Sequence, residues 1–82
     1  MDYYLTRYGA KVADLRRFWN TVRHMIASFR ELNMTDDEMR KIVLKYNPDL
    51  SEEEYEIILG LKEDIPENDE RVIEEYLKRY PL

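Results

Sequence analysis

The side chains that could do chemistry in this 82-residue chain are one histidine, His24, and several clusters of acids. The neighbours of His24 are Arg23 and Met25, neither of which is a nucleophile, and the chain has no cysteine. A single histidine cannot hold zinc unless carboxylates complete the ligand set. We therefore expect His24 to be an exposed surface residue, and we expect no catalytic residue.

Two runs of three acids, at positions 36–38 and 52–54, raise the question of metal binding. Successive residues on a helix point about 100° apart, so the carboxylates of one run do not converge on one ion. Residues 49–60 resemble a calcium loop only superficially, because Glu54 stands where glycine is required and Gly60 where glutamate is required. With only two glycines there is also no glycine-rich phosphate loop. The sequence predicts no metal site and no cofactor.

Charge is unevenly distributed along the chain, whose formal net charge is −5. Residues 1–30 hold six basic and two acidic residues, a charge of +4, and residues 31–82 hold seven basic and 16 acidic residues, a charge of −9. The overall balance disfavours general affinity for nucleic acid or for anionic membranes. The simplest interpretation of the asymmetry is that the basic part folds onto the acidic part.

One long helix is predicted near the N-terminus, because apolar residues recur there in alternating steps of three and four. The helix spans Leu5–Leu32, or begins after Gly9, since a glycine inside a helix costs about 1 kcal/mol relative to alanine. Its apolar face is broader than a two-stranded coiled coil requires, which favours a helical bundle. The heptad positions are Leu5, Tyr8, Val12, Leu15, Trp19, Val22, Ile26 and Phe29.

Three short helices follow, and the first two carry the same start signal. In each, a hydroxyl residue stands three positions before a glutamate, the pattern of a capping box. The third begins either with proline as its first helical residue or with an asparagine cap. These signals are Thr35 with Glu38, Ser51 with Glu54, and Pro66 or Asn68.

The fold class that follows is all-α, with one long N-terminal helix packed against three short helices in a small four-helix array. We expect a single helical domain over residues 1–82, because a chain of this size buries too little surface for two cores. No apolar run is long enough to cross a membrane, and no signal peptide is recognisable, so the expected compartment is the cytoplasm.

The predicted core collects the inward positions of all four helices. It contains Leu15, Trp19, Val22, Ile26, Phe29, Ile42, Tyr55, Ile58, Val72 and Leu77. The apolar face predicted for the first short helix is Met39, Ile42, Val43 and Tyr46.

The leading functional hypothesis is a non-catalytic protein-binding or regulatory module. Acids on the short helices would meet a basic surface on a partner protein, and charge steering would make association fast and salt-sensitive. One form of this is an inhibitor that mimics nucleic acid and occupies a phosphate-binding groove. The predicted partner-binding residues are Glu52, Glu53, Glu56, Glu67, Asp69, Glu70, Glu74 and Glu75.

Two further hypotheses stay open. The chain could be a structural or adaptor protein that forms a homodimer through the heptad positions of the first helix. It could also be a nucleic-acid-binding regulator, since a basic stripe on that helix could contact phosphates. The stripe consists of Arg16, Arg17, Arg23 and Arg30. Residues 35–62 loosely resemble a helix-turn-helix, but the second helix of that pair is acidic and phosphate would repel it.

Overall fold

The computed structural model describes residues 2–67 and 69–79, with side chains from residue 12 onward in those ranges. These residues form four helices and no strand, which confirms the all-α class. The helices are α1 (Asp2–Glu31), α2 (Asp36–Tyr46), α3 (Glu52–Leu59) and α4 (Arg71–Arg79).

Helix α1 is 30 residues long and runs through Gly9, so the alternative start after that glycine is wrong. The penalty of about 1 kcal/mol for one glycine does not end a helix of this length. The helix ends in a Schellman motif, in which Met34 N–H donates to Phe29 O at 3.3 Å and Asn33 N–H donates to Arg30 O at 3.0 Å. Asn33 has a φ of 61°, the left-handed conformation that asparagine tolerates better than most residues.

The chain divides into two compact units, and the boundary falls inside α1. One unit is Met1–Phe18 together with Ile65–Leu82, and the other is Trp19–Asp64. The first part of α1 packs with α4 in the former, and the rest of α1 packs with α2 and α3 in the latter. That a single domain spans residues 1–82 stays a prediction.

In the unit of residues 19–64, all predicted core positions on α1 and α3 except Phe29 are confirmed as buried. Those buried residues are Trp19, Val22, Ile26, Tyr55 and Ile58. On α2 the prediction is partly wrong, since Ile42 is only half-buried and Tyr46 is 69% exposed. The buried ridge of α2 is Met39 and Val43, four residues apart, so its neighbours on the helix lie at the edge. Phe29 is likewise half-buried.

In the other unit, the buried side chains within residues 12–18, 65–67 and 69–79 are Val12, Ile65, Ile73 and Tyr76. The predicted core residues Leu15, Val72 and Leu77 are only half-buried, which corrects the prediction for α4. The face of α4 that packs inward is centred on Ile73 and Tyr76, three residues apart, so the residues next to them point sideways.

Both predicted capping boxes are confirmed. In α2, Glu38 N–H donates to Thr35 Oγ1 at 3.2 Å, and Thr35 N–H donates to Glu38 Oε1 at 3.0 Å. In α3, Ser51 and Glu54 make the same two bonds, each at 3.0 Å. The backbone hydrogen bond from Thr35 is the main reason why the pKa of Glu38 lies below its usual value.

The predicted start of α4 at Pro66 is wrong, and Asn68 lies outside the described residues. The helix begins at Arg71. Asp69 N–H donates to Pro66 O at 3.1 Å, which closes a turn before the helix. The first helical hydrogen bonds, from Ile73 at 3.1 Å and Glu74 at 3.0 Å, go to the carbonyl of Glu70.

Glu54 is the one charged residue that lies in the core of the described part of the chain, at 5% exposure. Its Oε2 accepts a hydrogen bond from Trp19 Nε1 at 2.7 Å, and its Oε1 accepts the capping bond from Ser51. Both carboxylate oxygens therefore have a donor, as a buried charge requires. The sequence pattern predicted the capping role of Glu54 but neither its burial nor its bond to Trp19.

Candidate functional site on the acidic helices

The predicted partner-binding acids of α3 lie on its outer face, where Glu52, Glu53 and Glu56 are all exposed. Two of them are already engaged, because Arg40 of α2 bonds Glu52 and, at 2.9 Å, Glu56. The bond to Glu56 is the main reason why the pKa of Arg40 is raised. Glu53 has no ion pair with any residue that the structure describes, so it is the α3 acid most available to a partner.

Two further acids, Asp36 and Asp37, are exposed in the first turn of α2. Neither takes part in the capping box, and neither has an ion pair in the described ranges. Neither was among the predicted partner-binding residues. The available signal was their position directly after the cap, Thr35, since the helix dipole favours acidic side chains in the first turn.

These acids border a groove of about 300 Å³ at the end of α1 and along α2 and α3. Its charged lining is Arg30, Asp36, Asp37, Arg40 and Glu56. Tyr55 and Leu59 complete it. The Arg40 guanidinium lies 5.8 Å from the centre of the Tyr55 ring, a cation–π distance. Burial is the main cause that raises the pKa of Tyr55.

A second set of predicted acids surrounds the start of α4. Glu70 binds Arg16, with 3.0 Å between Oε2 and Nε, and both side chains are largely buried. Asp69 pairs with the exposed Arg71 at 2.9 Å, and this hydrogen bond is the main cause that lowers the pKa of Asp69. The remaining predicted acids of this set have no ion pair within residues 12–67 and 69–79. They are Glu67, Glu74 and Glu75.

The arginine stripe of α1 is not a continuous open surface. Arg16 is held by Glu70, and Arg23 Nε donates to Asp64 Oδ1 at 2.8 Å. Arg17 is exposed and pairs with Asp14 at 2.5 Å, one turn away on the same helix. Arg30 is exposed and makes no ion pair in the described part of the chain. The expectation that basic residues fold onto acidic ones holds for Arg16 and Arg23.

His24 is exposed, as predicted, and its Nε2 lies 2.9 Å from Asp64 Oδ2. Asp64 therefore has two partners on α1, since Arg23 bonds its other oxygen. The hydrogen bond from His24 is the largest cause that lowers the pKa of Asp64, followed by the bond from Arg23.

We predict that His24→Ala raises the pKa of the Asp64 carboxyl towards its ordinary value, and that Arg23→Gln raises it less. Because the folded-state pKa is depressed, Asp64 favours folding above its unfolded-state pKa, and this contribution is lost as pH falls through the folded-state pKa. Carbon-13 shifts of the side-chain carboxyl, followed against pH, measure the change. Asp69 is the control, since its partner Arg71 is intact in both variants. An unchanged Asp64 titration in both variants contradicts the prediction.

Comparisons with known proteins give no relative for this chain. It matches no protein-family model, and neither a curated protein nor a solved structure matches it significantly.

The chemistry open to these surfaces is electrostatic attraction and hydrogen bonding to cationic groups. Among the described residues, no three histidine or acidic side chains are grouped so as to hold a metal ion. No described helix is both long enough and apolar enough to cross a membrane.

Proposed function

We propose that this chain is a small, non-catalytic protein-binding module, a regulator or inhibitor, whose acidic surfaces bind a basic surface of a partner protein. The observation that carries the proposal is the imbalance between paired and unpaired charges. Arg16 and Arg23 are held by internal carboxylates, whereas Glu53 and Glu75 are exposed acids without an ion pair in the described ranges. A cytoplasmic location remains part of this proposal.

The charge pairing weighs against the nucleic-acid hypothesis. Arg16 is held by Glu70 in an ion pair that is largely buried, and breaking such a pair to contact phosphate is costly. Arg23 is engaged by Asp64 in a more exposed pair, which lowers the positive charge that the stripe presents. The exposed acids agree better with binding to a protein that has a phosphate-binding groove than with binding to nucleic acid. In such a groove the acids would act as a nucleic-acid mimic.

The burial of the heptad positions weighs against the homodimer hypothesis. Val12, Trp19, Val22 and Ile26 are at most 2% exposed in the single chain, so a partner helix could reach them only after the short helices moved away. Light scattering over a range of concentrations tests this, and a stable dimer would favour the adaptor hypothesis over the proposed function.

The test uses the triple variant Glu53→Lys, Glu67→Lys and Glu75→Lys. All three side chains are exposed and unpaired in the described ranges, so the fold should be unchanged. The immobilised wild-type chain captures proteins from cell extract at low salt, and a captured protein is purified for calorimetry. We expect its affinity to fall about tenfold or more in the triple variant and to weaken with added salt.

The matched control reverses three exposed charges of the opposite sign, Lys41→Glu, Lys45→Glu and Lys78→Glu. It should leave the affinity unchanged or raise it. A captured partner that binds the triple variant as well as the wild type, or the absence of any partner whose binding depends on salt, contradicts the proposal.

A further inference from the structure

We draw no further inference here: the strongest candidate, the apolar surface that α1 and α2 leave partly uncovered at Met25, Phe29, Ile42 and the exposed Tyr46, carries nothing, because nothing in the structure shows what covers it.

Discussion

A chain with Trp19→Ala is expected to lose about 3–5 kcal/mol of its free energy of unfolding, the usual cost of truncating a fully buried aromatic. Trp19 is 0% exposed and is the largest of the fully buried side chains, so alanine leaves a cavity that the surrounding helices fill only in part. The substitution also removes the Nε1–H donor from the buried carboxylate of Glu54. Both effects act in the same direction.

This loss is a large part of the protein's total free energy of unfolding. An 82-residue domain has a free energy of unfolding of about 4–12 kcal/mol, so the variant should be close to unfolding at 25 °C. Unfolding in urea is monitored by circular dichroism, because the variant lacks the one tryptophan whose fluorescence could report unfolding. Leu32→Ala is the control, since Leu32 is 70% exposed and its loss should cost less than about 0.5 kcal/mol. An unchanged urea midpoint for Trp19→Ala contradicts the packing described above.

The second large effect is expected from Glu54→Gln, although the two side chains have nearly the same shape. Both oxygens of Glu54 accept from N–H donors, Trp19 Nε1 at 2.7 Å and the backbone of Ser51 at 3.0 Å. Glutamine has one oxygen, so its amide N–H₂ must face one of these donors. We expect a loss of about 2–3 kcal/mol, from an unsatisfied buried donor and the loss of a charge-assisted bond.

The matched control for this variant is the same substitution at the preceding residue, Glu53. Glu53→Gln makes the same chemical change on the exposed side of α3 and should cost less than about 0.5 kcal/mol. Equal effects of the two substitutions on the urea midpoint would mean that the carboxylate of Glu54 is not buried against Trp19.

A double-mutant cycle separates the Trp19–Glu54 bond from the capping bond. Trp19→Phe removes the N–H donor but keeps an aromatic ring. In that background, the glutamine of Glu54→Gln has to accept a hydrogen bond only from the Ser51 backbone. We expect an interaction energy of about 1 kcal/mol or more between the two substitutions. Additive effects would show that the Trp19–Glu54 bond contributes nothing to stability.

Most of the helical framework could be predicted from the sequence, because its causes are local. A capping box involves residues three positions apart, so Thr35 and Ser51 identify the starts of α2 and α3 without knowledge of the tertiary fold. The heptad spacing likewise identified α1 and the buried Trp19. The prediction failed for α4, where Pro66 begins a turn and not the helix, because proline is common in turns as well as at helix starts.

Residue type alone does not predict which acids of α3 are buried. Glu52, Glu53 and Glu54 are identical in the sequence, yet only Glu54 is buried. Its position four residues before the buried Ile58 places it on the inward face of α3, a signal that the sequence contained and that capping alone did not reveal. Its partner Trp19 lies 35 positions away, and nothing in the sequence indicated that pairing.

Local sequence patterns predicted the positions of α1, α2 and α3 and the starts of α2 and α3, and the composition gave the excess of acids. The tertiary structure alone decided which charges remain available to a partner. Arg16 meets Glu70 across 54 positions, and Arg23 meets Asp64 across 41. The groove that Tyr55 and Leu59 help to line is built from three helices. Helix formation depends on neighbours within four residues, whereas charge pairing and grooves depend on how distant segments pack.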